Sequence, residues 1–321
     1  MGPALTPIEI GLTTAIVAVT DGEPQVLVAG ESGKADVPCG LPSGPFDPLS
    51  HRTFEIGLRE WVAAQTALDI GYVEQLYTFG DRGRNARAGD TDPHVVSVGY
   101  LALTRVPENV TSLEAAGARF RPWYHFFPWE DWREGRPPII DDAILPPLTK
   151  WARGAAGRNE RLRLCFGIGN AASDTHRHWD EEKVLERYEL LYEAGLIEEA
   201  RRDGRVDAVR VQLGESMRSD HRRILATAIA RLRGKLKYRP VVFELMPDEF
   251  TLTELQHTVE AISGRHLHKQ NFRRLVESTA LVEPTGEMAT ATGGRPAALF
   301  RFRREAVQER HAPGLRLGVR R

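Results

Sequence analysis

Over residues 10–29 the apolar positions fall in two short β-branched runs, Ile10 to Thr20 and Val26 to Ala29, on either side of Asp21-Gly22. Two such runs around an Asp-Gly pair predict a β-hairpin. Gly30 to Pro48 is rich in Gly and Pro and reads as a loop. The period then changes: Phe54, Leu58, Trp61, Val62 and Leu68 share a face, which predicts an amphipathic helix opening at Ser50. Tyr72 to Phe79 and Val95 to Thr104 return to strand character around the polar stretch Gly80 to His94. This succession describes a mixed sheet with a helix packed on it.

From Arg119 to Arg205 the pattern is irregular. Trp123, Tyr124, Phe126, Phe127, Trp129 and Trp132 gather there, and they are expected to form a local satellite core. One helix is predicted from Asp180 to Ala200, and another after Ser219, where Ile224, Leu225, Ala228, Ile229 and Leu232 share a face and Gly234 marks a possible end. The second of these reads as a linker between two domains.

The C-terminal stretch is the most regular. Thr251 and Glu254 form a capping box ahead of Leu252, Leu255, Val259 and Ile262, and Gly264 stops that helix. The next helix turns Phe272, Leu275 and Val276 inward and leaves Lys269, Gln270, Arg273, Arg274 and Glu277 on the other side. Leu281 to Glu283 and Ala297 to Arg303 then bracket a Gly-Gly-Arg-Pro loop, with Phe300 and Phe302 alternating against Arg301 and Arg303. Helix, helix, hairpin is the order of a winged helix.

Charge sharpens that picture. The chain's net −1 divides at Met217: residues 218–321 carry 20 Lys+Arg against 11 Asp+Glu, a net +9, which leaves −10 for residues 1–217. A basic C-terminal third suits a polyanion, with a merely solvated basic face as the plain alternative. Lys269, Gln270, Asn271, Arg273 and Arg274 on the second helix are the residue types that read base edges in a major groove, and Arg295 and Arg301 of the wing suit phosphates.

Length and composition bound the rest. The 321 residues predict about two domains: 1–217, then 218–304, then a basic tail over 305–321 expected to be disordered. With two cysteines there is neither a disulfide framework nor an all-cysteine metal site, and a reducing cytoplasm is expected. Apolar runs fall far short of the ~20 residues that cross a bilayer. Two suggestive motifs lack their context. Gly167-Ile168-Gly169-Asn170-Ala171-Ala172 has no helix behind it for a dinucleotide, and Thr175-His176-Arg177-His178-Trp179-Asp180-Glu181 has Glu181 where a zinc hydrolase signature needs a last histidine.

Residues 41–104 resemble a Nudix domain, with Leu41-Pro42-Ser43-Gly44 at the usual lead-in. The glutamate box that would hold Mg²⁺ is broken: in one register its acidic pair falls on Ala63 and Ala64, in the other on Ala64 and Gln65. The stretch Tyr72 to Asp81, Arg84, Arg87 and Val96 to Leu103 is similar to ADP-ribose-type Nudix domains. Most of all the chain resembles the Nudix-related transcriptional regulators of NAD metabolism, the NrtR type. Lys235-Leu236-Lys237-Tyr238-Arg239-Pro240, Phe250-Thr251-Leu252, Asn271-Phe272-Arg273-Arg274 and Glu283-Pro284-Thr285-Gly286 carry that likeness further.

The resemblance covers roughly 10–105 and 210–304, and the stretch of about 107–207 is longer than in compact members. It implies a Nudix-like α/β/α sandwich followed by a winged helix-turn-helix domain, with no cofactor, metal or catalytic residue. Its implied partners are double-stranded operator DNA, an ADP-ribose-like effector and a second copy of the chain. For the effector the resemblance implies Glu74, Gln75 and Asp81. Chemistry adds Arg84 and Arg87 as a bidentate phosphate grip and Phe79 as a ring to stack on a base. The competing expectation is a Nudix-type ADP-ribose pyrophosphatase whose C-terminal unit dimerises, using Glu55 or Glu60, and an effector that is a sugar or another metabolite stays open.

Overall fold

In the computed structural model, residues 7–30, 38–81, 94–107, 109–168, 179–204, 212–289 and 296–305 are described. The predicted hairpin is β1 (Ile8–Thr20) and β2 (Glu23–Ala29), with Thr20 opposite Glu23. Asp21 and Gly22 both take positive φ, 52° and 74°, as a two-residue turn between twisted strands requires. β3 (Ser43–Pro45) pairs with β1 inside the segment expected to be loop.

The helix after it is α1 (Phe54–Thr66), and its cap is Thr53, not Ser50. Thr53 accepts the Ile56 N–H at 3.2 Å, while Ser50 is taken by Asp47, its hydroxyl donating to Oδ2 at 2.6 Å. A local Asp turn thus outcompetes the earlier helix start. Ala67, at φ 54°, closes α1, so Leu68 lies beyond it.

β4 (Tyr72–Phe79), β5 (His94–Leu103) and β6 (Ala118–Pro122) complete a sheet in the order β4-β5-β1-β2-β6. β5 runs parallel to β1 and the other pairs are antiparallel. Strand alternation sorts the two faces. Leu12, Ile16, Leu27, Val98, Tyr100 and Ala102 pack toward Leu58 and Val62 of α1. Ala15, Val17, Val26, Val28, Leu101 and Leu103 join the large core on the other side, under α7 (His221–Lys235). The sheet is therefore sandwiched between helices, as the α/β/α expectation had it.

The segment after α2 (Thr111–Ala115) and β6 departs from two expectations. Trp123, Phe126, Phe127 and Trp129 are fully buried within the large core itself, so they form no satellite. The helix expected over 180–200 is two, α5 (Val184–Glu193) and α6 (Glu198–Arg202), because Gly195 at φ 70° turns the chain between them. Ahead of them lie α3 (Leu145–Ala152) and α4 (Arg158–Phe166). Most of the His/Asp-rich motif and the end of the Gly-rich one lie outside the described residues. α7 runs through Gly234 to Lys235.

The winged helix comprises β7 (Glu249–Thr251), α8 (Leu252–Ser263), α9 (Lys269–Thr279), β8 (Val282–Ala289) and β9 (Ala297–Phe302), with sheet order β7-β9-β8. Its first wing strand runs well past Glu283. Leu255, Val259, Ile262, Phe272 and Val276 belong to the same buried cluster as the α7 face of the large sheet. Among the described residues no helix is long and apolar enough to cross a membrane.

Candidate nucleic-acid interface and effector face

α8 is fixed at both ends by local chemistry. Thr251 Oγ1 accepts from Glu254 N at 3.2 Å, Glu254 Oε2 accepts from Thr251 N at 2.7 Å, and Gly264 closes the helix at φ 69°. A turn leads to α9, which Phe272 and Val276 hold to the core. Burial of two such side chains contributes ~1.5–3 kcal/mol each. On the opposite side Lys269, Gln270, Asn271, Arg273 and Arg274 are all exposed, so the residues expected to read base edges do share one open face. Leu275 is half-buried.

The wing is anchored by Phe302, which stacks on Phe243 with ring centroids 4.2 Å apart. Arg301 projects outward, but its Nε binds Glu283 Oε1 at 2.7 Å across the β8–β9 pair, so its charge is shared. Arg303, expected to point outward beside it, is half-buried, with Nε 3.6 Å from Glu283 Oε2. Arg295 lies outside the described residues.

On the effector side the structure separates the expected residues. Gln75 is exposed. Phe79 is 1% exposed and sits in the large core, so no face of its ring is open to a base. The cause is a bulge: Gln75 pairs with Tyr100 but Thr78 with Val98, one residue out of step. An extra residue sends the following side chains to the opposite face, which here is the α7 side. Glu74 accepts the Tyr72 hydroxyl at 2.7 Å and pairs with Lys235 Nζ at 2.6 Å. Asp81 pairs with Arg223, which also reaches Glu189 at 2.5 Å and Asp220 at 3.2 Å. Both carboxylates are therefore tied to α7, at positions twelve residues apart or ~18 Å along a helix. Arg84 and Arg87 lie outside the described residues.

Sequence reasoning missed these α7 partners. Burial works against the Lys235 ammonium, yet hydrogen bonds to Glu74 and Tyr72 outweigh it and its pKa is raised. At the start of α7, burial foremost, then the charges of Arg218 and Arg202, push His221 down to about 3. It is a neutral ring whose Nδ1 accepts the Leu41 N–H at 2.8 Å.

Further along, Arg233 and Arg187 converge on Glu130 with no side-chain exposure on any of the three. The signal available in the sequence was that Arg222 and Arg233 fall at helical spacing on the apolar face of α7.

On the box helix the two carboxylates are both engaged: Glu55 with Arg59 at 2.9 Å, Glu60 3.3 Å from His51 Nε2. Among the described residues no group of three His, Cys, Asp or Glu side chains converges as a metal site.

Residues 242–302 match the family model of the NrtR DNA-binding winged helix domain. Over 83 residues the chain is 46% identical to the ADPR responsive transcriptional repressor NtrR of Acinetobacter baylyi, a stretch covering 26% of this chain and 33% of that protein. Matched in three dimensions, it is similar to Shewanella oneidensis NrtR solved with a 27mer DNA, at TM-score 0.54 and 19% identity over 93% of this chain and 95% of that one. A MutT/nudix family protein from Enterococcus faecalis matches at TM-score 0.50 and 14% identity, over 94% and 88%. The chain thus carries a Nudix-like α/β domain followed by a winged-helix domain of the NrtR type.

Proposed function

We propose that this chain is a DNA-binding transcriptional repressor of NAD-related genes, acting in the cytoplasm as a homodimer on operator DNA, with its Nudix-like domain sensing ADP-ribose or a related nucleotide. One observation carries the reading: α9 presents an open row of three cations and two amides from the second helix of an NrtR-type winged helix. The curated relative, of which the alignment spans a third, is a repressor that responds to ADPR, which favours the same effector class here. Ala63 and Ala64 of α1 offer no metal ligand where the box would place its acidic pair, which favours sensing over hydrolysis.

The mechanism is linkage: an effector that prefers one domain arrangement lowers DNA affinity by the factor by which DNA lowers its own. The 82–93 stretch holding Arg84 and Arg87 begins next to Asp81, whose partner Arg223 lies on the linker helix. Asp81 is thus a described point at which an effector held near the end of β4 would act on α7.

Fluorescence anisotropy on DNA from upstream of its own gene and of NAD genes tests this, titrated first with salt and then with ADP-ribose. Expected are tight, steeply salt-dependent binding and release by ADP-ribose. Arg273 is exposed on α9. Arg273→Ala should therefore spare the fold and effector binding while lowering specific affinity by ~1–3 kcal/mol. Weak, sequence-indifferent binding unmoved by ADP-ribose would overturn the reading, as would ADP-ribose cleavage with Mg²⁺ that depends on Glu55 or Glu60.

A further inference from the structure

The turn from Gly264 to His268 sets the angle at which α9 leaves the body, and much of what holds it comes from outside the winged helix. From within, α8 grips Leu267 through both its backbone polar groups: Glu260 Oε1 accepts Leu267 N–H at 2.7 Å and Gln256 Nε2 donates to Leu267 O at 2.9 Å. From outside, Trp132 N–H donates to Gly264 O at 2.8 Å. Arg265 donates to the Trp179 carbonyl and lies 3.5 Å from Glu181 Oε2.

The end of α8 is closed the same way. A helix leaves its last carbonyls without partners of its own. Here the Tyr124 hydroxyl donates to Ala261 O at 2.7 Å and Arg233 Nε donates to Ile262 O at 2.8 Å. The approach is close enough that a Cβ on Gly264 would stand 2.5 Å from Glu130 O and 2.9 Å from the Tyr124 oxygen. Trp123 and Trp129, both fully buried, root this outer support in the main core.

We propose that the long stretch of about 107–207 in the first domain, through Tyr124, Trp132, Trp179 and Glu181, is a positioning element for DNA recognition that sets the pose of α9. This rests on α9 being the DNA-reading helix. The lever is short but the tolerance is smaller. The base-reading residues end at Arg274, five residues or roughly 7.5 Å from the start of α9 at 1.5 Å per residue, so a swing of about 10° moves that position by about 1.3 Å. That exceeds the spread of hydrogen-bond distances at base edges, whereas phosphate contacts carry no sequence information to lose. Loosening the support therefore removes specificity before it removes affinity.

The full chain is used to select duplexes from a random-sequence pool, and anisotropy then compares a selected duplex with a scrambled one of equal length. Tyr124→Phe deletes one hydroxyl and Glu181→Gln one charge, and neither residue lies on the α9 face. The expected result is that the selected-to-scrambled affinity ratio falls about fivefold or more in each, with scrambled-DNA affinity and salt slope as in the parent. Should Tyr124→Phe fail to fold, Glu181→Gln decides. A ratio within twofold of the parent in the folded variants overturns the proposal alone. A parent chain that enriches no sequence overturns the DNA-reading assignment, and the proposal with it.

Discussion

Replacing Glu130 by Gln changes the least volume at the most consequential buried charge. Its carboxylate accepts from Arg187 Nε at 2.6 Å and Nη2 at 2.8 Å, and from Arg233 Nη1 at 2.8 Å. All three side chains are without exposure. The amide keeps one acceptor, turns an NH₂ toward guanidinium donors, and leaves two buried cations without a counter-charge. Removing one partner of a buried pair costs about 3–5 kcal/mol, a large share of the ~5–15 kcal/mol that holds a domain together.

Guanidinium melts followed by tryptophan fluorescence measure it directly, since Arg187 lies over the Trp179 ring at 3.7 Å and Trp132 packs on Trp179. The expected outcome is a lower midpoint at unchanged slope, in one transition, because the core runs unbroken from the sheet to α9. A loss below about 1 kcal/mol would refute the reasoning about charge. Two separated transitions would refute the single core. Replacing Glu130, Arg187 and Arg233 together by apolar residues should recover most of the loss, because all the desolvated charges then leave at once.

Three further outcomes follow from the same contacts. His221 has its folded pKa near 3 and an unfolded value of 6.5, so its stabilising contribution is complete above about pH 6.5 and declines toward pH 3 by up to ~1.4 kcal/mol per pH unit. His221→Asn keeps an acceptor for Leu41 N–H and should flatten urea stability between pH 7 and 5, and parallel losses in the two proteins would count against it. Thr251→Ala removes one half of the capping box and should cost ~1 kcal/mol by chemical denaturation. Asp81→Asn weakens the tie to Arg223, so the ratio of DNA affinities with and without ADP-ribose should shrink, and an unchanged ratio would remove Asp81 from the coupling route.

Legibility from the sequence followed the reach of the interaction concerned. The Asp21-Gly22 turn, the Thr251–Glu254 box and the exposed row on α9 are written within four residues or one helical period, and all three stand in the structure as read. Phe79 was misplaced because the bulge between Gln75 and Thr78 reverses the parity of a strand that otherwise alternates. The helix start was placed at Ser50, three residues early, because Asp47 binds Ser50 and leaves Thr53 as the cap. Glu130 and Arg187 were invisible as core, since a charge in a sequence reads as solvent unless its partner 57 positions away is known, and of the three only Arg233 gave a sign, by its place on the apolar face of α7. β7 has three residues and no period of its own.

The manner in which α8 ends bears on modularity. A winged helix is usually treated as a cassette that can be cut out and joined to another sensor. Here a cut just before Val242 would strip the carbonyls of Ala261 and Ile262 of their donors and unroof Leu255, Val259 and Ile262. The transplantable unit is larger than the domain: it includes α7 and the Tyr124–Trp132 support. Grafts that respect the family boundary at 242 would inherit the reading surface without the frame that aims it.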